Sequence, residues 1–158
     1  MSLALVTTLV EDCPLEEAET QRIVAEALLF GGREGLRVGV VFAGDELMAE
    51  LHGEFLGDPT TTDVITFDLG PAELPHGVGE EDAPLEAELY VGALEAQRVA
   101  AARGVLWTRE LALYVTHGVL HLCGYDDHTD EDSDRMRTAE KAVMGTLGYP
   151  EDNAPHHM

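Results

Sequence analysis

Three of the seven histidines fall within twelve residues, from His117 to His128, in the run HGVLHLCGYDDH. His117 and His121 are four apart, so on a helix both imidazoles project from one face, one turn above the other. That is how a helix offers two nitrogen donors to a single metal ion. Gly124 follows where the chain must leave the helix, because glycine adopts backbone shapes that other residues resist. A third donor just past that turn completes a three-ligand site and leaves the fourth position open to water, as in catalytic rather than structural zinc centres. His128 is that donor on this reading, with the Asp127 carboxylate as the alternative. Zinc held this way lowers the pKa of a bound water toward ~7 and polarises a carbonyl or phosphoryl oxygen.

In zinc peptidases a glutamate follows the first histidine and acts as the general base. Here Gly118 stands at that place. A peptidase reading therefore needs its base from elsewhere, for example Glu88. What the motif itself describes is a metal-dependent hydrolase whose catalytic residues are unassigned. Glu110, two turns before His117, reads as a surface acid or as an outer partner that orients an imidazole. Asp126 reads as such a partner or as a turn residue bonding its own backbone. Cys123, two residues after His121, points off the ligand face. His52 lies on a predicted helix without a partner at ligand spacing, His76 falls in a loop, and His156 and His157 fall in the tail.

The elements that must position the motif follow from pattern. Leu3 to Val10 is β-rich, and Pro14 suits the first turn of a helix that Gly31 and Gly32 stop. Leu36 to Phe42 is a strand by its β-branched content. Asp45 caps a helix ending near Gly57, and Thr61 to Phe67 alternates as a half-buried strand. Residues 70–85 hold many turn-formers and read as a surface excursion. A short strand, Leu89 to Val91, leads into an alanine-rich helix over roughly 93–103. Thr108 then caps the histidine helix, which carries a core stripe of Leu111, Val115 and Leu122 away from the histidines. A last helix spans roughly 130–147. Residues 1–148 read as a single α+β domain and 149–158 as a tail.

Composition limits the function classes. The chain has 158 residues, with 31 Asp or Glu against 9 Lys or Arg, for a net charge of −22. An apolar share of 45% is enough for a real core at this length. The acidic balance excludes a surface that coats nucleic acid through broad phosphate attraction, yet leaves room for a local site. Arg98 and Arg109, beside the motif in sequence, are candidates for its positive charge. No run of 18 apolar residues occurs, so no membrane span is expected. The N-terminal MSLALVTTLVEDC lacks the basic start of a signal peptide. Two distant cysteines fit a reduced, cytoplasmic protein.

The run HGVLHLCGYDDH resembles the signature of the YbeY family, histidine-Gly-x-Leu-histidine-Leu-x-Gly-Tyr-Asp-histidine. Thr62-Asp63-Val64-Ile65-Thr66-Phe67 is similar to that family's Thr-Asp-Val-Leu-Ser-Phe strand. Arg109-Glu110-Leu111 and the acidic stretch before the last helix also fit, so the likeness covers most of residues 36–148. The resemblance implies a zinc-dependent, single-strand-specific endoribonuclease that matures the 3′ end of small-subunit ribosomal RNA and serves ribosome quality control. It implies Zn²⁺ on the three histidines, an rRNA precursor as substrate, and the small ribosomal subunit or its proteins as partners. It also implies a small mixed sheet beneath the metal-binding helix, a zincin-like arrangement.

Three positions depart from the family pattern. Six residues separate His121 from His128 where the family has five, which puts Asp127 at the usual third-ligand position. Leu56 follows Phe55 where the family carries an arginine. Ala87-Glu88-Leu89 stands for Gly-Asp-Ile. These departures keep two other readings in view, a ribosome-associated accessory protein with a structural zinc and weak chemistry, and then a metallopeptidase.

Overall fold

A computed structural model describes residues 4–56, 64–69, 84–126 and 128–149. Among them the element order is β1 (Ala4–Thr8), α1 (Glu17–Gly31), β2 (Val38–Ala43), α2 (Asp45–Leu56), β3 (Val64–Asp68), β4 (Ala87–Gly92), α3 (Ala93–Arg103), α4 (Trp107–Leu122) and α5 (Asp130–Leu147). The strands form one mixed sheet in the order β1-β2-β4-β3. β1, β2 and β4 run parallel, and β3 closes one edge antiparallel to β4. This is the expected α+β fold with a small mixed sheet.

Both faces of the sheet are covered, which explains why β2 (VGVVFA) reads as a nearly unbroken apolar run rather than an alternation. Because side chains alternate along a strand, Val38, Val40, Phe42, Ala87, Leu89 and Val91 face one way and join the main core with α1, α4 and α5. The other face carries Ala43 and Ile65 against Met48 of α2, with Phe67 and Tyr90 at its margin. Those two rings meet edge-on, with centroids 5.7 Å apart.

Several helix ends differ from the sequence expectation for local reasons. α1 begins at Glu17, three residues after Pro14, with Glu16 as an N-cap that makes no side-chain bond. α4 begins at Trp107, so Thr108 lies inside the first turn and Leu106 is the N-cap. The Trp107 indole anchors that start by donating to the Ala93 carbonyl at 2.9 Å. α5 matches its expected span, and its cap is the Thr129 hydroxyl, which accepts from the Asp132 amide at 3.0 Å. Most of the expected excursion, residues 70–83, lies outside the described residues, as does the chain after Tyr149.

Candidate metal centre

α4 packs against α1, α3, α5, β3 and β4. Its burial is therefore not a stripe along one side, as an amphipathic surface helix would show. From Arg109 to Leu122 every residue is buried except His117 and His121. The core helix thus opens to its surroundings at one place, and two imidazoles fill the opening. Their rings lie parallel within 5°, with centroids 6.5 Å apart.

Gly118 explains how this helix lies so near the sheet. A Cβ built there would sit 2.6 Å from Leu89 Cδ2 and 3.0 Å from both Leu89 Cγ and Val64 Cγ1. A glutamate after the first histidine would have to start inside the β3–β4 surface. The missing peptidase base is thus excluded by packing as well as by residue type. Glu88 cannot replace it. The α4 side of β4 is made by Ala87, Leu89 and Val91, and Glu88 points to the opposite face, where the Tyr90 hydroxyl donates to it at 3.5 Å.

The inner nitrogen of each imidazole is tied back. His117 Nδ1 lies 2.6 Å from Oε2 of Glu140 on α5. His121 Nδ1 lies 3.0 Å from the Tyr125 carbonyl oxygen. A carbonyl can only accept, so His121 donates from Nδ1, and a carboxylate imposes the same on His117. In neutral imidazole that leaves Nε2 of both rings as the lone-pair donor, the arrangement of metal-ligating histidines. Two imidazoles so prepared suit zinc and other borderline divalent metals. On this donor set the two residues fit the implied ion.

The turn after α4 supplies the Tyr125 carbonyl. Gly124 takes φ +101°, its amide donates to the His121 carbonyl at 3.1 Å, and the Tyr125 amide donates to the Leu120 carbonyl at 3.1 Å. This is a Schellman closure with glycine at its left-handed position. It brings the chain back along the histidine face, as the sequence led one to expect. The third ligand is not assembled with the pair among the described residues. The His128 side chain is 80% exposed, with Nε2 3.3 Å from Asp126 Oδ1, and no group of three metal-binding side chains converges among the described residues. Asp127 lies outside them.

Other sequence candidates fall into place around the pair. Glu110 is no surface acid. It is fully buried and 3.3 Å from the buried Arg109 guanidinium, because α4 has no solvent side at that level. Cys123 packs against Gly31, where a Cβ would run into its thiol, so it belongs to the α1 contact. Burial pushes that thiol's pKa up. Arg98 is held by both Asp45 oxygens at 2.9 Å and by Glu95 at 2.6 Å, and these bonds push its pKa up. Arg135 and Arg137 pair with Asp132 and Asp134. The arginines near the motif are thus engaged by carboxylates, and the positive charge expected from them is largely offset. Leu56 is the last residue of α2. His52 lies on α2, and His76, His156 and His157 lie outside the described residues.

Glu140 escaped the sequence reading. Its signal was an acid in the apolar stripe of α5, four residues after Met136 and three before Val143, where Met144 and Leu147 complete the buried face. A carboxylate at a core position asks for a partner, because an unpaired buried charge is costly.

A helix sunk in the core of an α+β domain thus opens only at two pre-oriented imidazoles. Comparison with known proteins gives the family. The family model for "Endoribonuclease YbeY" matches residues 7–148. The protein of that name from Desulforamulus reducens is 34% identical over 149 residues, covering 91% of this chain and 96% of that one. Its namesake from Geobacillus kaustophilus is 33% identical over 138 residues, covering 84% and 88%. A solution structure of a Thermotoga maritima protein shares the fold, with a TM-score of 0.58, 23% identity, and coverage of 97% of this chain and 100% of that one. The chain belongs to the YbeY family of endoribonucleases. Among the described residues, no helix is long and apolar enough to cross a membrane.

Proposed function

We propose that this protein is a zinc-dependent endoribonuclease that cuts single-stranded RNA, with the 3′ end of small-subunit rRNA as its precursor substrate and ribosome quality control as its wider role. The observation that carries the reading is the pair His117 and His121, the only opening between Arg109 and Leu122 in an otherwise buried helix, each with Nδ1 tied back. Family membership supports the RNA substrate. His117 and His121 hold the ion, with His128 or Asp127 as the third ligand. Zinc bound there supplies Lewis acidity that activates a nucleophile and offsets charge on the phosphodiester.

The chain's own residues do the remaining work. α4 fixes both imidazoles through its packing, and Glu140 and Tyr125 keep their outer nitrogens available. The net charge of −22, with the arginines near the motif engaged by carboxylates, disfavours tight binding of free RNA. Docking through the small ribosomal subunit or its proteins, in the cytoplasm, compensates for that weakness.

The test is paired. Zinc-loaded protein should cleave single-stranded RNA, and His117→Ala should lose both the metal and the cleavage. Unchanged zinc stoichiometry in His117→Ala overturns the site. The carboxylate-engaged arginines favour one second reading, an accessory protein with a structural zinc. Zinc-loaded protein that co-sediments with small subunits yet leaves RNA intact would select it.

A further inference from the structure

We propose that Glu140 is a positioning residue for the metal centre, held in the α5 core to fix the tautomer and orientation of His117 rather than to stabilise the fold. The inference rests on the metal reading above and goes beyond it, because Glu140 lies outside the histidine motif on another helix.

Three observations carry it. The carboxylate is 5% exposed yet occupies a position on the buried face of α5 with Met136, Val143, Met144 and Leu147. Its Oε2 stands 2.6 Å from His117 Nδ1, a short contact of the kind made by ionised partners. His117 is one of only two unburied residues between Arg109 and Leu122. Its side chain is only 16% exposed and its Nδ1 faces the α5 carboxylate, so this one bond decides which ring nitrogen carries the proton.

A carboxylate buried at a core position is a poor device for stability. Replacing a whole buried ion pair with apolar residues of similar volume is often neutral or stabilising. The same carboxylate is a good device for metal binding. It holds the proton on Nδ1, presents Nε2 to the ion and raises the basicity of the ligand. The Tyr125 carbonyl does the equivalent for His121 from the other side of the pair. The two ligands are therefore set by two different structures, the turn after α4 and the helix α5.

The experiment separates stability from positioning with Glu140→Met and Glu140→Gln. Zinc affinity is measured by competition with a chromogenic chelator, and stability by urea unfolding of the metal-free chain. Glu140→Met should still unfold cooperatively in urea while binding zinc about 10–100-fold more weakly than the native chain. Glu140→Gln keeps an acceptor oxygen and should recover part of that affinity. Nitrogen-15 spectra of the zinc-loaded native chain should show His117 protonated at Nδ1, with that signal lost or broadened in Glu140→Met. Native zinc affinity in Glu140→Met, or a His117 ring protonated at Nε2, overturns the proposal. If His117→Ala also keeps its zinc, the metal reading itself has failed. If His117→Ala loses zinc and Glu140→Met does not, only the role of Glu140 has failed.

Discussion

Gly118→Ala tests the closeness of the histidine helix to the sheet. In an unpacked helix the change is favourable, because alanine is about 1 kcal/mol better than glycine in a helix interior. Here the new methyl would meet Leu89 Cδ2 at 2.6 Å, with Leu89 Cγ and Val64 Cγ1 at 3.0 Å. Leu89 is fully buried, so it cannot swing into solvent to make room. Overpacking a core costs about 1–3 kcal/mol, and three crowded atoms around a pinned leucine place this site in the upper half of that range. The net expectation is a loss of about 1–2 kcal/mol. At roughly 2–4 °C per kcal/mol for a chain of this size, Tm should fall by about 2–8 °C. Thermal and urea unfolding of the metal-free protein measure it. A double-mutant cycle with Leu89→Ala sharpens the test. That change alone leaves a cavity costing about 2–5 kcal/mol, part of which the methyl added at position 118 should fill. The pair should be less destabilising than the sum by about 1 kcal/mol. A Tm at or above the native value in Gly118→Ala, or strict additivity in the cycle, would refute the close-approach argument.

Three further outcomes follow from the same geometry. Gly124→Ala forces a φ of +101° on a residue with a Cβ. It should cost about 1–2 kcal/mol and weaken zinc binding by moving the Tyr125 carbonyl, both readable in the chelator and urea assays; unchanged zinc affinity would contradict the second part. Tyr149→Phe removes the hydroxyl that donates to Glu19 Oε2 and should cost about 1 kcal/mol. Burial and that bond push the Tyr149 pKa up, so its contribution is complete below the ordinary tyrosine pKa and is lost as pH rises above it. A phenolate absorbance titration in which Tyr149 ionises like a free tyrosine would contradict this. Burial also pushes up the pKa values of the Cys13 and Cys123 thiols, so both should alkylate more slowly at neutral pH in the folded protein than in urea; equal rates would contradict their burial.

Much of this molecule can be read from its residues, and the gaps have physical causes. α3 and α5 were legible end to end because Gly104 and Gly148 stop them with φ near +72° and +89°, and Thr129 caps α5. β4 is longer than its apolar triplet Leu89-Tyr90-Val91, because Ala87 and Glu88 join the strand through pairing with β2 and β3. Cross-strand pairing is invisible in a local pattern. The histidine pair was legible from spacing alone. The full burial of α4 was not, since Arg109, Glu110 and Thr116 look like surface residues until neighbouring helices close over them. Glu140 was missed because a contact between residues 117 and 140 depends on how α5 crosses α4, which no periodicity encodes.

The burial of α4 has a practical consequence. The residues that build the interior and the two that face outward belong to one helix but to separate duties, so they can be edited separately. Replacing both histidines by alanine, with Glu140→Met to avoid an unpartnered acid in α5, leaves the interior of the helix as it is. The product would be a folded twin of the protein without its proposed chemistry. Expressed in cells lacking the native chain, such a twin would divide every defect into two kinds. Those it repairs belong to the protein as a body that docks, and those it leaves belong to the cut.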